Sequence, residues 1–172
     1  GGAYRETRKK MIDLEKAITA LAANNVDYVI VGGVAISLHS SGYITQDLDF
    51  CYSRSKENIH RLYTALAPFD PMPRKWPEGL PFIFDESTLR NGTNFTFETS
   101  IGAIDLLGEV EVIGSYPDAL TRSVTYEIYG TQVKAFDLDA LIASKTAADR
   151  PKDHLVLPEL LDLKEALDPT EE

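Results

Sequence analysis

The chain is poor in cysteine and in long apolar runs, and these absences exclude several classes of protein. Cys51 is the only cysteine among 172 residues, so no disulfide can form within the chain. No run of eighteen apolar residues occurs that could span a bilayer. The first residues, GGAYRETRKK, are polar and basic where a signal peptide needs an apolar centre. We therefore expect a soluble, cytoplasmic protein.

Basic residues are also few relative to acidic ones. The sequence has 17 Lys and Arg against 27 Asp and Glu, which gives a formal net charge of -10. A chain with this charge repels phosphate backbones at long range, so it is not built as a general nucleic-acid binder. Local basic patches are still compatible with this charge balance.

The length and the order of patterned segments predict one domain that mixes helices and strands. A chain of 172 residues with 44% hydrophobic content can bury one core but is too short for two ordinary domains. The patterning predicts a helix over 5–24, a sheet-forming core over about 25–136 and a helical part over about 137–167. Four prolines mark a long excursion within residues 70–94. The expected class is α/β or α+β, with a mixed sheet flanked by helices.

The tripeptide Asp-Leu-Asp occurs twice, and its flanks separate the two copies. In the second copy, Asp137 precedes apolar residues at helical spacing and sits where an N-cap belongs. Asp139 adds negative charge to the first helical turn, where the helix dipole favours it. Helix capping is therefore a sufficient explanation of the second copy.

The first copy lies in the segment DLDFC, where polar and apolar residues alternate as in a strand. Asp47 and Asp49 then share one face, and two neighbouring carboxylates raise each other's pKa unless a cation lies between them. Mg²⁺ commonly binds one or two carboxylates and leaves positions for substrate phosphates. Asp105 is a third acid in an apolar strand, between Ile104 and Leu106.

A glycine pair precedes this segment. Gly32 and Gly33 end the apolar run DYVIV and lead into a short helix, so backbone amides at the helix start could face an anion. A tight turn between strand and helix is the simpler explanation of the glycines taken alone. The combination of Gly-Gly, Asp-x-Asp and a later strand aspartate is much more specific.

With this combination the chain resembles the polymerase β-like nucleotidyltransferase superfamily, in the small bacterial branch that includes toxins of toxin-antitoxin and abortive-infection systems. The resemblance implies a nucleotidyltransferase fold and a cytoplasmic enzyme that moves a nucleoside monophosphate from a nucleoside triphosphate, such as ATP, to a hydroxyl. It implies that Gly32 and Gly33 cradle the triphosphate. It also implies that Asp47, Asp49 and Asp105 bind two Mg²⁺ or Mn²⁺ ions, and that Asp105 helps to deprotonate the acceptor.

The C-terminal segment extends the resemblance with Lys145, Arg150 and Lys152 as further nucleotide-binding residues. Lys145 lies on the apolar stripe of its helix, so it either packs its stem on the sheet or binds the triphosphate. Two departures stand out. Tyr43 occupies a position where the branch often has arginine, and no acid opens the next helical turn after the motif RPKD.

Other functions and acceptors are open at this point. A haloacid dehalogenase-type phosphatase also uses Asp-x-Asp, but it needs a long apolar strand before the motif. A non-catalytic nucleotide-binding module of the same fold is a second alternative. The acceptor could be an RNA 3′ end, a protein or an antibiotic-like small molecule, with an antitoxin as a possible partner. An Arg74-Lys75-Trp76 cluster favours a single-stranded RNA end, unless Trp76 only anchors its loop.

Overall fold

A computed structural model describes residues 11–39 and 47–167 of the chain. Within them the helices are Leu14–Ala23 (α1), Gly32–His39 (α2), Lys56–Leu66 (α3), Glu86–Asn91 (α4), Tyr116–Thr121 (α5), Leu138–Ala148 (α6) and Pro151–Leu167 (α7). The strands are Tyr28–Val31 (β1), Asp47–Tyr52 (β2), Met72–Pro73 (β3), Asn94–Thr99 (β4), Gly102–Leu107 (β5), Glu109–Val110 (β6), Gly114–Ser115 (β7), Ser123–Ile128 (β8) and Thr131–Phe136 (β9).

The main sheet of the described chain has seven strands in the order β3-β4-β5-β2-β1-β9-β8. β2 pairs in parallel with β5, and β1 pairs in parallel with β9, while the remaining neighbours are antiparallel. Helix α1 packs against α3, and α2 packs against α6, which in turn packs against α7. The expected mixed sheet with flanking and C-terminal helices is confirmed.

The central strands carry the core because both of their faces are covered. Leu48, Phe50 and Ile104 are fully buried, as are the α1 residues Ile18 and Leu21. Continuous apolar burial of this kind is typical of strands that lie between helices. A carboxylate placed on these strands is therefore held in a well-packed, partly dehydrated setting.

The structure corrects two boundaries at the ends of helices. Helix α1 begins at Leu14 because Asp13 is its N-cap, with the Asp13 side chain accepting from the Lys16 amide at 3.2 Å. The predicted start at residue 5 is therefore wrong for residues 11–13, and residues 5–10 lie outside the described chain. At the C-terminal end, α7 begins at Pro151, one residue before the predicted start, in the first-turn position that proline favours.

Two short helices and a small hairpin were not predicted from the pattern. Helix α5 follows a capping box in which Ser115 and Asp118 bond each other's backbone amides, a signal that the sequence did contain. Strands β6 and β7 form a separate two-stranded ribbon beyond Gly108, where a continuation of the β5 strand was expected. Helix α4 and strand β3 lie within the proline-rich excursion.

The β8–β9 hairpin and the second Asp-Leu-Asp copy follow the sequence expectations. Tyr129 and Gly130 both have positive φ, 51° and 72°, as the tightest hairpin turn requires. The side chain of Asp137 accepts from the Ala140 amide at 2.7 Å, so it caps α6 as predicted. Asp139 is exposed and pairs with Lys164 of α7 at 2.8 Å. This copy is structural. None of the described helices combines the length and apolarity that a membrane crossing requires.

The capping role of Asp137 can be tested by stability. Asp137→Ala should lower the free energy of unfolding by about 1 kcal/mol, because the Ala140 amide loses its acceptor at the start of α6. Asp137→Asn should change it by a few tenths at most, because the asparagine carbonyl caps nearly as well. Chemical denaturation of both variants measures the difference. Equal losses in the two variants would show that the charge of Asp137, and not its cap, stabilises α6.

Candidate active site

The pairing of β2 with β5 brings the sequence-predicted aspartates together. Asp49 lies directly opposite Asp105 in the parallel register, and Asp47 lies opposite Ala103. Asp49 also lies opposite Val31, the last residue of β1, and this places it at the start of α2. Residues at matched positions of parallel neighbours point to the same face. The two carboxylates therefore share one small region of the sheet.

Asp49 is the most perturbed carboxylate of this group. Burial raises its pKa to about 7, with further contributions from the charge and hydrogen bond of Asp105 and from the charge of Asp47, while Lys145 opposes the shift. Its Oδ1 atom is the only buried side-chain oxygen or nitrogen in the described chain without a hydrogen-bond partner. A buried carboxylate oxygen without a partner is costly, so the site favours either a proton or a cation at this atom.

Asp105 has a partner that sequence reasoning did not assign to the site. The Arg74 guanidinium donates from Nη2 to Asp105 Oδ1 at 2.8 Å and from Nε to Glu98 Oε1 at 3.1 Å. Burial raises the pKa of Asp105, and the charge and hydrogen bond of Arg74 limit that rise. The Arg74 amide bonds the Thr96 carbonyl at 2.9 Å just beyond the β3–β4 pairing, and this pairing was not evident from the sequence.

This contact also revises the predicted Arg-Lys-Trp surface cluster. Arg74 faces the aspartates, so it is not one of three side chains on an exposed patch. Trp76 donates from Nε1 to the Leu80 carbonyl at 2.9 Å and packs edge-on against Phe82. These contacts support the reading in which Trp76 anchors its loop, although 37% of the residue stays exposed.

Gly32 is the point where the backbone comes closest to Asp49. It begins α2 with φ of +68°, and a Cβ atom built on it would overlap the Asp49 Oδ2 atom. The glycine is therefore required both by the backbone conformation and by the adjacent carboxylate. Gly33, the second residue of α2, is not among the described residues that line the neighbouring cleft.

The basic residues of the C-terminal helices gather around a buried acid. Lys145 Nζ lies 3.2 Å from Asp153 Oδ1, and Arg150 Nε lies 2.8 Å from Asp153 Oδ2. Asp153 is fully buried, and the side chain of Lys145 is 12% exposed. Burial alone would raise the pKa of Asp153, but the hydrogen bonds from Arg150 and Lys145 outweigh it and lower the pKa to about 2.

Asp153 was missed as an individual site residue, although the motif RPKD contains it. The inward position predicted for Lys145 is confirmed. Lys152 is exposed and does not line the cleft among the described residues. Tyr43 falls in 40–46, outside the described chain, so the departure noted there has no structural counterpart.

These groups line one cleft with a volume of about 550 Å³. Asp49, Asp105 and Gly32 lie along it with Lys145 and Arg150, and the rim of β4 and β6 adds two acids, Glu109 and Glu111. The cleft thus places basic side chains and carboxylates together around the edge of the sheet. Its size is within the range of ordinary small-molecule sites.

The aspartates do not form a closed metal cage. Over residues 11–39 and 47–167, no group of three or more His, Cys, Asp or Glu side chains is arranged to hold a metal ion. The unpartnered oxygen of Asp49 and the nearby charge of Asp47 nevertheless fit one divalent cation with oxygen ligands. Mg²⁺ suits such an open site because it keeps waters or substrate phosphates as further ligands.

The packing of Gly32 can be tested against a second glycine. Gly32→Ala and Gly130→Ala both place alanine at positive φ, which costs about 1–2 kcal/mol in each case. Only Gly32→Ala also forces a methyl group into Asp49, since nothing lies within 4 Å of a Cβ at Gly130. We expect Gly32→Ala to lose roughly 1–3 kcal/mol more, as for other overpacked sites. Equal losses in denaturation would contradict the close approach.

The raised pKa of Asp49 predicts how stability depends on pH. Between pH about 4 and about 7 the folded metal-free protein retains a proton that the unfolded chain has released, so its free energy of unfolding falls as pH rises. Asp49→Asn should flatten this slope. The lowered pKa of Asp153 acts only below this window. Denaturation in EDTA from pH 4 to 8 measures both slopes, and identical slopes would refute the assignment.

The fold can be compared with known structures. No protein-family model matches the sequence, and no curated protein matches it. The antibiotic-resistance factor ANT(2'')-Ia matches with a TM-score of 0.58 and 15% identity, over 91% of this chain and 83% of that one. A crystal structure of ANT(2'')-Ia in complex with adenylyl-2''-tobramycin matches with a TM-score of 0.55 and 18% identity, over 91% and 88%.

Two further structures are similar over most of their length. The lincosamide antibiotic adenylyltransferase LnuA, bound to lincomycin, has a TM-score of 0.58 and 10% identity, over 90% of this chain and 99% of that one. An antigenic nucleotidyltransferase-like protein from Paracoccidioides brasiliensis has a TM-score of 0.53 and 17% identity, over 89% and 77%. At these identities the likeness defines the architecture. The chain has the nucleotidyltransferase fold.

Proposed function

We propose that this protein is a metal-dependent nucleotidyltransferase that transfers a nucleoside monophosphate from a nucleoside triphosphate to a hydroxyl in the cleft. The observation that carries the proposal is the pair of Asp49 and Asp105, with one buried unpartnered oxygen, in the same cleft as Lys145 and Arg150. Carboxylates for a divalent cation and basic groups for phosphates are the two requirements of phosphoryl transfer. The adenylyltransferases of the same fold favour ATP as the donor.

The basic side of the cleft is suited to the triphosphate. An ammonium group has three donors, and Asp153 occupies one donor of Lys145, so the others can bind phosphate oxygens. The side chain of Arg150 is 50% exposed while its guanidinium is held by Asp153, so it is oriented but accessible. Gly32 lets the backbone approach the phosphates, Gly33 continues that turn, and Lys152 extends the positive charge at the rim.

Asp47 and Asp49 would hold Mg²⁺ or Mn²⁺, which would neutralise the triphosphate and polarise its α-phosphate. In the reaction the acceptor oxygen forms a bond to the α-phosphorus, and the bond from that phosphorus to the bridging oxygen breaks, so that pyrophosphate leaves. Asp105 takes the proton of the acceptor hydroxyl. Its burial favours this role because the raised pKa makes it a better base than an exposed carboxylate.

The acceptor that the cleft favours is a small hydroxyl compound with cationic groups. Glu109 and Glu111 line the cleft beside the aspartates and would repel a polyanion while attracting amines. The similar structures include enzymes that act on a lincosamide and that hold an adenylylated tobramycin. We extend this acceptor class to the present chain on the basis of its acidic wall.

An RNA 3′ end is the second acceptor candidate, with a toxin role and an antitoxin partner attached to it. The observation in its favour is the exposed loop that carries Lys75 and Trp76 next to the Arg74 strand segment. One basic residue and one aromatic face can hold a single unpaired nucleotide. Arg74 itself faces Asp105, so this loop offers fewer phosphate contacts than its sequence indicates.

The proposal is tested by labelling. The purified protein is incubated with Mg²⁺ and each α-labelled nucleoside triphosphate, in separate reactions with aminoglycosides, lincosamides, total RNA and protein extract. We expect label from ATP on a small cationic acceptor, and at least a hundredfold lower rate with Asp49→Asn. Asp137→Asn is the matched control, because it makes the same change in the other Asp-Leu-Asp copy and should retain activity.

Each result has a defined meaning. Label on RNA would replace the small-molecule acceptor by the RNA candidate, and it would leave the transfer reaction in place. Equal activity of Asp49→Asn and the parent would contradict the assigned site. Absence of transfer to all four acceptor classes, with intact folding, would favour a non-catalytic module of the same fold.

A further inference from the structure

The two paired aspartates are supplied with positive charge in different ways. Asp105 has a cation in direct contact, since Arg74 Nη2 lies 2.8 Å from its Oδ1 atom. The Oδ1 atom of Asp49 is buried without a hydrogen-bond partner. One carboxylate of the pair is thus already neutralised by the protein, while the other has an oxygen still available.

The Arg74 contact is fixed by the fold and is not a chance surface pair. The Arg74 amide donates to the Thr96 carbonyl at 2.9 Å, and Thr96 lies opposite Asp105 in the β4–β5 register. Glu98, two residues along β4, holds Nε of the same guanidinium at 3.1 Å. The side chain of Arg74 is only 27% exposed. Two carboxylates and a strand-like backbone bond therefore place this cation beside Asp105.

We propose that this protein binds a single divalent metal ion, on the Asp49 side of the pair, and that the Arg74 guanidinium supplies the second positive charge beside Asp105. The proposal rests on the function inferred above and assigns a role to a residue outside the predicted site. Arg74 is a positioning residue, because it acts through Asp105 and does not itself contact the reacting atoms.

A second metal ion at Asp105 would meet two obstacles. It would have to share the carboxylate with a guanidinium 2.8 Å away, and two cations at such separations repel strongly when partly buried. Alternatively it would have to displace Arg74, which would lose its bidentate hold on Asp105 and Glu98. A fixed arginine is a better match than a mobile ion because it is always charged and its fork spans two carboxylates.

The single-metal arrangement also agrees with the absence of a three-ligand cluster among the described side chains. With Asp105 held by Arg74, the metal would take its remaining ligands from the triphosphate and water, as Mg²⁺ commonly does. Asp105 would keep one oxygen turned to Arg74 and the other available to the acceptor proton. The two carboxylates would then have separate tasks.

The number of metal ions per chain tests the proposal directly. Mn²⁺ is titrated into the full chain with a saturating, non-hydrolysable ATP analogue, and free Mn²⁺ is read from its electron paramagnetic resonance signal. We expect one bound Mn²⁺ per chain. Two bound ions would overturn the single-metal proposal while the nucleotidyltransferase assignment stands. No bound ion would contradict the metal-dependent function itself, so the two failures are distinguishable.

Variants identify Arg74 as the cause. Arg74→Gln should raise the count to two, because Asp105 loses its cation, and the double variant Arg74→Gln/Asp105→Asn should return it to one. Lys75→Gln is the matched control, with the same charge loss on the next residue and no printed contact with Asp105; it should stay at one. A count of one in folded Arg74→Gln would overturn the proposal. If that variant does not fold, the count in the parent still decides.

Discussion

The pairing of two carboxylates across the parallel strands β2 and β5 is the constraint on which the rest of this site depends. Asp49 and Asp105 are matched in register, partly dehydrated and next to a third acid, Asp47. Like charges at such distances destabilise the fold unless a proton or a cation intervenes. The structure supplies positive charge from the Arg74 guanidinium on one side and from the more distant Lys145 on the other. What remains is one buried oxygen without a partner.

The C-terminal helices contribute by orienting their basic groups. Asp153 has no exposed surface, and it anchors Lys145 from α6 and Arg150 from the junction with α7. Removing one member of a buried ion pair leaves an uncompensated charge, so such groups depend on each other. The helices thus present two cations at fixed positions along the cleft. Phosphate binding at this point would require no large rearrangement of the backbone.

The cleft combines features that select a substrate by charge. Basic groups lie on the side of α6 and α7, and the acids Glu109 and Glu111 lie on the side of the β6 segment. A triphosphate and a cationic acceptor are attracted to opposite sides, which would orient them for in-line transfer. An overall charge of -10 is compatible with this arrangement because the phosphate site is local and buried.

The sequence by itself determined the fold class, the three aspartates and the structural nature of the second Asp-Leu-Asp copy. These followed from local rules: alternation in β2, apolar flanks around Asp105, and the N-cap position of Asp137. Only the tertiary structure showed that Arg74 contacts Asp105, that Asp153 holds Lys145, and that Gly32 faces Asp49. Each of these contacts joins residues from different elements. Strand order and register decide such contacts, and no local pattern in a single chain encodes them.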